Sequence, residues 1–250
     1  MRKVTGLLSV QALALVVGLP ALCWAQMTPA APPAMFRATV TQVRPDMLNE
    51  WLDLQKNEVI PALKKAGVKT RTVYSSGLFG TAGEYLVVTP LEKFADFDNP
   101  NPISKALGPE AAARLFEKLR KCTVSSHSYA LTRLADLSNV TQPPPPIIVT
   151  TRFRIASGKN AEFANIIKTD VLPIYKKANA SLVVNARGLG ANPTDVTISA
   201  GITKYADLDG GSLLLKTLGP EGFASLATKV TAISSLIEQV VRARVADLSF

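Results

Sequence analysis

Apolar and polar residues alternate from Phe36 to Val43 (FRATVTQV), with β-branched residues prominent, and this period of two predicts a strand. Arg44-Pro45-Asp46 turns the chain, with Asp46 placed as an N-cap. Leu48, Trp51, Leu52, Gln55, Val59, Leu63 and Ala66 then recur at helical spacing, so one face of a long helix is apolar. Past Gly67 the shorter period returns. Lys69 to Ser76 reads as a strand, Gly77 to Gly83 as a glycine-rich turn and Glu84 to Thr89 as the returning strand of a hairpin that Pro90 closes. Leu91 to Leu107 is irregular and partly helical. Gly108-Pro109-Glu110 opens a helix reaching about Lys121, with proline first and an acid in the first turn, and Thr123 to Leu134 is a fourth strand.

The chain then repeats itself. Glu58-Val-Ile-Pro-Ala-Leu-Lys-Lys-Ala-Gly67 returns 112 positions later as Asp170-Val-Leu-Pro-Ile-Tyr-Lys-Lys-Ala-Asn179. A proline inside a helix costs about 3 kcal/mol, so its presence in both copies argues against chance. Gly67 and Asn179 both suit the left-handed turn that ends a helix. Leu107-Gly108-Pro109-Glu110 returns unchanged as Leu218-Gly219-Pro220-Glu221, and the close Arg133-Leu-Ala-Asp-Leu-Ser138 as Arg244-Val-Ala-Asp-Leu-Ser249. The reading is an internal duplication, with repeats at 35–138 and 147–250 joined by a proline-rich linker at 139–146.

Each repeat has the order strand, helix, hairpin, helix, strand, the split βαβ of a ferredoxin-like unit. Its helices cover one face of a four-stranded antiparallel sheet. The other face is apolar too, through Leu86 and Val88 or through Tyr85 and Val87, whichever pair points away from the helices. A sheet apolar on both faces needs a second cover. The fold class expected is therefore α+β: tandem ferredoxin-like βαββαβ repeats whose two sheets pack face to face into an intrachain α/β barrel. Two domains joined only by the linker are the alternative.

Val-Arg-Pro-Asp46, Glu50-Trp51, Glu58 to Gly67 and Leu-Gly-Pro-Glu110 together resemble the dimeric α/β-barrel superfamily, in its NIPSNAP-like and antibiotic-biosynthesis-monooxygenase-like forms. The resemblance covers both repeats and implies the fold. It does not select a function, because the superfamily includes cofactor-free oxygenases, haem-handling enzymes, isomerases and stress proteins. In that superfamily two chains usually make the barrel; here one chain is expected to make it alone.

Composition adds an address. Arg2 and Lys3 precede an apolar run from Leu7 to about Leu22, and Cys23-Trp24-Ala25 offers small residues for a signal peptidase, so 1–25 reads as a signal peptide cut near Ala25. Residues 26–34 (QMTPAAPPA) form a tether with nothing to bury, read as disordered. The expected location is periplasmic or extracellular. Losing Arg2 and Lys3 takes the formal charge from +9 to +7, and losing Cys23 leaves Cys122 alone, so no intramolecular disulfide is expected. Basic residues alternate with acids, as in Glu117-Lys118-Leu119-Arg120-Lys121, without the aromatic-plus-basic pattern of a nucleic-acid module. Cys122 reads as a small semi-buried residue rather than a reactive thiol.

Candidate chemistry is sparse. A single histidine excludes His-rich metal sites. His127, Tyr129 and Arg133 share strand parity and so one face. Facing a cavity, they would offer a base, a phenol and an anion-binding guanidinium; otherwise His127 is an ordinary strand histidine. The corresponding positions in the second repeat are Glu238 and, for Arg133, Arg244. The resemblance would place a haem ligand at a cavity edge, and the strand position of His127 does not match the helix or loop ligands of haem-handling members; no cofactor and no metal are expected. Trp51, Tyr74, Arg37 and Arg152 could serve a cofactor-free pocket, with Trp51 better placed in the core. No nucleophile elbow or phosphate cradle occurs, since the glycine-rich segments lie in hairpins.

Three functions stay open: a protein binding a small apolar or aromatic molecule in the barrel interior, a cofactor-independent monooxygenase or isomerase acting in that cavity, and a structural or interaction module with a filled interior. Expected partners are a small-molecule ligand, no nucleic acid and no stable membrane insertion after signal cleavage, with the chain a monomer or homodimer.

Overall fold

The computed structural model describes residues 34–250; the segments read from sequence as a signal peptide and, but for its last residue, as a tether lie outside them. The alternating segments form strands β1 (Met35–Val43), β2 (Thr72–Phe79), β3 (Glu84–Leu91), β4 (Thr123–Arg133), β5 (Ile147–Ile155), β6 (Leu182–Arg187), β7 (Asp195–Ile202) and β8 (Ser234–Arg244). They close into one antiparallel barrel in the order β1-β3-β2-β8-β5-β7-β6-β4, with β4 pairing back onto β1.

Backbone hydrogen bonding therefore joins the halves, and the intrachain barrel expected from the sequence is closed through two strand seams. At one seam β2 pairs with β8, matching Tyr74 with Arg244 and Ser75 with Ala243. At the other β4 pairs with β6, matching Leu131 with Arg187 and Arg133 with Asn185. Closure removes the edge strands that open sheets must otherwise protect. Two separate domains are ruled out by these seams.

β2 starts at Thr72 rather than Lys69 and runs on through Gly77 to Phe79, because Phe79 pairs with Val241 across the first seam. That pairing involves a residue far away in sequence, so a local pattern could not show it.

The helices coat the outside. The long amphipathic helix is divided: α1 (Leu48–Leu54) and α2 (Ile60–Lys65) are joined by a π-turn at Gln55–Val59, and α5 (Asn160–Ile166) and α6 (Leu172–Lys177) by another at Ile167–Val171. Pro61 and Pro173 fall in the first turn beyond these π-turns, where the missing N–H and the ring clash of proline cost little. Gly67 (φ 87°) and Asn179 (φ 48°) then take the left-handed conformation just past each helix. α3 (Pro102–Leu107) and α4 (Pro109–Cys122) complete the first helical layer; α7 (Leu213–Thr231), kinked at Gly219, completes the second.

Parity separates two kinds of core. Tyr85 and Val87 face the first helical layer, where Trp51 lies with its ring centroid 4.5 Å from that of Tyr85. Leu86 and Val88 face inward with Ala38, Tyr74, Tyr129, Leu131 and Ile148. Cys122 is fully buried and burial pushes its thiol up, consistent with an inert packing residue. The proline-rich linker lies against the barrel: Asn139 bridges to Leu182, and the Pro145 ring abuts Gly201.

Candidate functional site

The barrel encloses a lumen of about 610 Å³. Inward parity decides its walls. β1, β3 and β4 contribute Phe36, Val40, Leu86, Val88 and Leu131, a mainly apolar wall that Tyr74 of β2 and Tyr129 of β4 extend and that also carries Glu84, His127 and Arg133. β5, β6, β7 and β8 contribute Thr150, Arg152, Arg154, Asn185, Arg187, Asp195, Thr197, Glu238 and Arg242, a charged wall. The linker residues Val140, Thr141, Gln142, Pro144 and Pro145 also border the lumen, so the linker forms part of the site.

His127, Tyr129 and Arg133 all line the lumen. His127 is exposed, and its ring lies 5.8 Å from that of Tyr129. Tyr129 is buried, and the Arg187 guanidinium sits 3.8 Å from its ring centroid. Arg133 stands 4.6 Å over the ring of Phe36. Of the other four candidates, Tyr74 and Arg152 face the lumen. Trp51 is core under the helices, and Arg37 is exposed on the outer face, donating to Ser128 and lying over Phe97.

Three acids neutralise part of the charged wall. Asp195, 1% exposed, accepts from Arg154 at 2.8 Å and Arg152 at 3.2 Å. Burial alone would raise its pKa, but these arginines outweigh burial and hold the carboxyl below its ordinary value. Glu84 accepts from Arg242 at 2.8 Å and from Ser76 at 3.0 Å. Glu238 lies 3.4 Å from Arg152. Among the described residues Arg133 and Arg187 form no ion pair, and burial lowers the pKa of both guanidinium groups. The sequence reading missed Arg187, Arg242 and Asp195. Their alternating positions on β6, β7 and β8 put them on one face, but which face looked inward was undetermined.

A second, outer cleft of about 1010 Å³ lies between α7 and the outer face of β5 and β7. Phe153, Phe163, Ile198, Leu213 and Leu226 line it, with Tyr175 nearby. In sequence, Ala227 of α7 aligns with Phe116 of α4, so a smaller side chain borders this cleft.

The outer cleft does not fit a haem. The cleft is bordered by no histidine or cysteine, and burial pushes the Tyr175 phenol up to about 12, leaving it a poor iron ligand. His127, the chain's one histidine, is at an exposed position on the charged lumen instead. Among the described residues no cluster of three or more His, Cys, Asp or Glu side chains could hold a metal ion, and no helix is long and apolar enough to cross a membrane.

The closed eight-stranded α+β architecture is that of the dimeric α/β barrels, made here within one chain. A candidate monooxygenase from Fusobacterium nucleatum superposes with a TM-score of 0.57 at 12% identity, over 85% of this chain and 92% of its own. An anthrone oxidase-like protein gives 0.56 at 12%, over 86% and 92%. Chlorite dismutase from Candidatus Nitrospira defluvii, in complex with imidazole, gives 0.52 at 9%, over 86% and 92%. At such identities the likeness is one of fold. No protein-family model matches the chain, and no curated protein matches it in sequence.

Proposed function

We propose that this is an exported small-molecule-binding barrel whose ligand lies in the lumen, its apolar or aromatic body against Phe36, Val40, Leu86 and Leu131. The observation that carries this reading is the lumen itself. Its volume suits a small organic ligand, and it combines an apolar wall with a few convergent polar groups. A filled interior, as a purely structural module would need, is at odds with that volume. Native mass spectrometry of the protein purified from the cell envelope tests the proposal. A co-purifying molecule lost on Leu86→Trp supports it, while a ligand unaffected by that change points elsewhere.

The two halves, 35–138 and 147–250, are read as copies of one βαββαβ unit. The shared lettering and the matching strand orders β4-β1-β3-β2 and β8-β5-β7-β6 support this. Export rests on Arg2, Lys3, the Leu7 to Leu22 run and Ala25, and N-terminal sequencing of the periplasmic protein checks it.

A second reading, a cofactor-independent monooxygenase or isomerase acting in the lumen rather than in the outer cleft, draws on the naming of two fold neighbours. Such chemistry needs a group to take a proton. In the cleft, burial keeps Tyr175 protonated and hydrogen bonds from Thr203 hold Asp207 low, so neither serves as a base at neutral pH. His127 in the lumen is the remaining candidate. Quinol turnover abolished by His127→Ala would favour this reading over simple binding.

A further inference from the structure

Five strands carry an unbroken row of polar residues across the charged wall. By register, Arg133 of β4 faces Asn185 of β6, Asn185 faces Thr197 of β7, Thr197 faces Arg152 of β5, and Arg152 faces Glu238 of β8. All five line the lumen. At the Glu238 end the charges are matched, because Arg152 has both Glu238 and Asp195. At the Arg133 end they are not. Arg187 stands two residues from Asn185 on the same face of β6, diagonally across the seam from Arg133.

Three donors converge there without acceptors. The Nε groups of Arg133 and Arg187 are buried and lack a hydrogen-bond partner among the described residues, as does the hydroxyl of Thr197, which is 9% exposed. The other seam shows what is missing. There the Glu84 carboxylate receives hydrogen bonds from both Arg242 and Ser76, although the Nε groups of Arg242 and Arg244 also lack a partner among the described residues. The residue corresponding to Glu84 in the second half is Asp195, and Arg152 and Arg154 already engage it. Buried donors without acceptors are costly, and buried guanidinium groups without an anion more so.

We infer that the lumen takes a carboxylate-bearing ligand whose carboxylate lies between Arg133, Arg187 and Thr197, at the place where Glu84 lies in the opposite seam. This rests on the lumen being the binding site and goes further in assigning the ligand a negative charge and an anchoring end. The rings of Phe36 and Tyr129 lie against the Arg133 and Arg187 guanidinium groups, and a guanidinium presents paired N–H donors to a planar carboxylate. The apolar body then runs along the first-half wall. The protein is expected to select the acid over its neutral amide.

Isothermal titration of the purified full chain with 4-phenylbutyrate and with 4-phenylbutyramide tests this. The acid should bind about ten- to a hundredfold more tightly than the amide, the range expected for charge-assisted hydrogen bonds. Arg187→Gln and Arg133→Gln should each remove most of that preference. Thr197→Val, nearly isosteric and expected to fold, should weaken the acid severalfold and leave the amide unchanged. Arg44→Gln removes the same charge at an exposed site outside the lumen and should change nothing. If acid and amide bind equally, or if the preference survives both arginine variants, the anion assignment is wrong while lumen binding stands. If neither compound binds wild type, lumen binding fails as well.

Discussion

Glu84 of β3 and Arg242 of β8 meet at 2.8 Å inside the barrel, with side chains only 16% and 6% exposed. The pair ties the first half to the second beside the β2–β8 seam. A buried ion pair contributes little beyond an apolar replacement, yet removing one partner strands the other charge. Glu84→Ala should therefore lower unfolding free energy by about 3–5 kcal/mol. The double variant Glu84→Leu with Arg242→Met should recover most of it. Urea titrations of the three proteins decide the matter, and a single variant as stable as wild type would mean water already solvates Arg242.

Asp195 makes a prediction about acid. Its folded pKa lies below the unfolded value, so its stabilising contribution is complete above the unfolded value of about 3.9 and is lost as pH falls through the folded one. Asp195→Asn should be clearly less stable than wild type at pH 7. The gap should narrow below about pH 4 as the native carboxylate takes up its proton. Denaturant midpoints at pH 7, 4 and 3 follow it; a gap that stays constant would show that Arg152 and Arg154 do not hold the charge.

Gly190 and Gly108 share a φ of 84° but not their surroundings. A β-carbon on Gly108 meets open space, whereas one on Gly190 runs into the Ser128 carbonyl and Tyr129. Gly108→Ala should cost about 1–3 kcal/mol, because its backbone (φ 84°, ψ 161°) is one that essentially only glycine adopts. Gly190→Ala should cost at least about 1 kcal/mol more for the collision, and should displace Tyr129 from the lumen. Equal costs would mean that the loop after β6 shifts freely.

Ala227 borders the outer cleft where its counterpart in the first half is Phe116. Ala227→Phe should add about 1–2 kcal/mol of stability by burying a ring in the cleft. Thermal unfolding reads this directly. A loss of stability would show that the cleft is already tightly filled or cannot open around the ring.

Much of the fold could be read from the sequence because its signals are local. The alternation in FRATVTQV, the proline in each long helix and the left-handed residues at 67 and 179 need no distant partner to interpret. The π-turns were hidden, since a helix with one extra residue keeps nearly the same apolar spacing. The site was only half legible. Shared parity put His127, Tyr129 and Arg133 on one face, but that Arg187 stands against Leu131 depends on how β4 and β6 meet. Nothing within either strand specifies that register. Likewise, Arg152, Arg154 and Asp195 could have been surface charges until closure turned their faces inward.

The covalent continuity of the barrel has one more consequence. A cylinder assembled from two identical subunits must repeat every side chain about its axis, so a greasy lining on one side imposes the same lining on the other. A single polypeptide escapes that symmetry, and here Leu86 has Thr197 as its counterpart and Leu131 has Arg242. An asymmetric guest can then be held in one orientation.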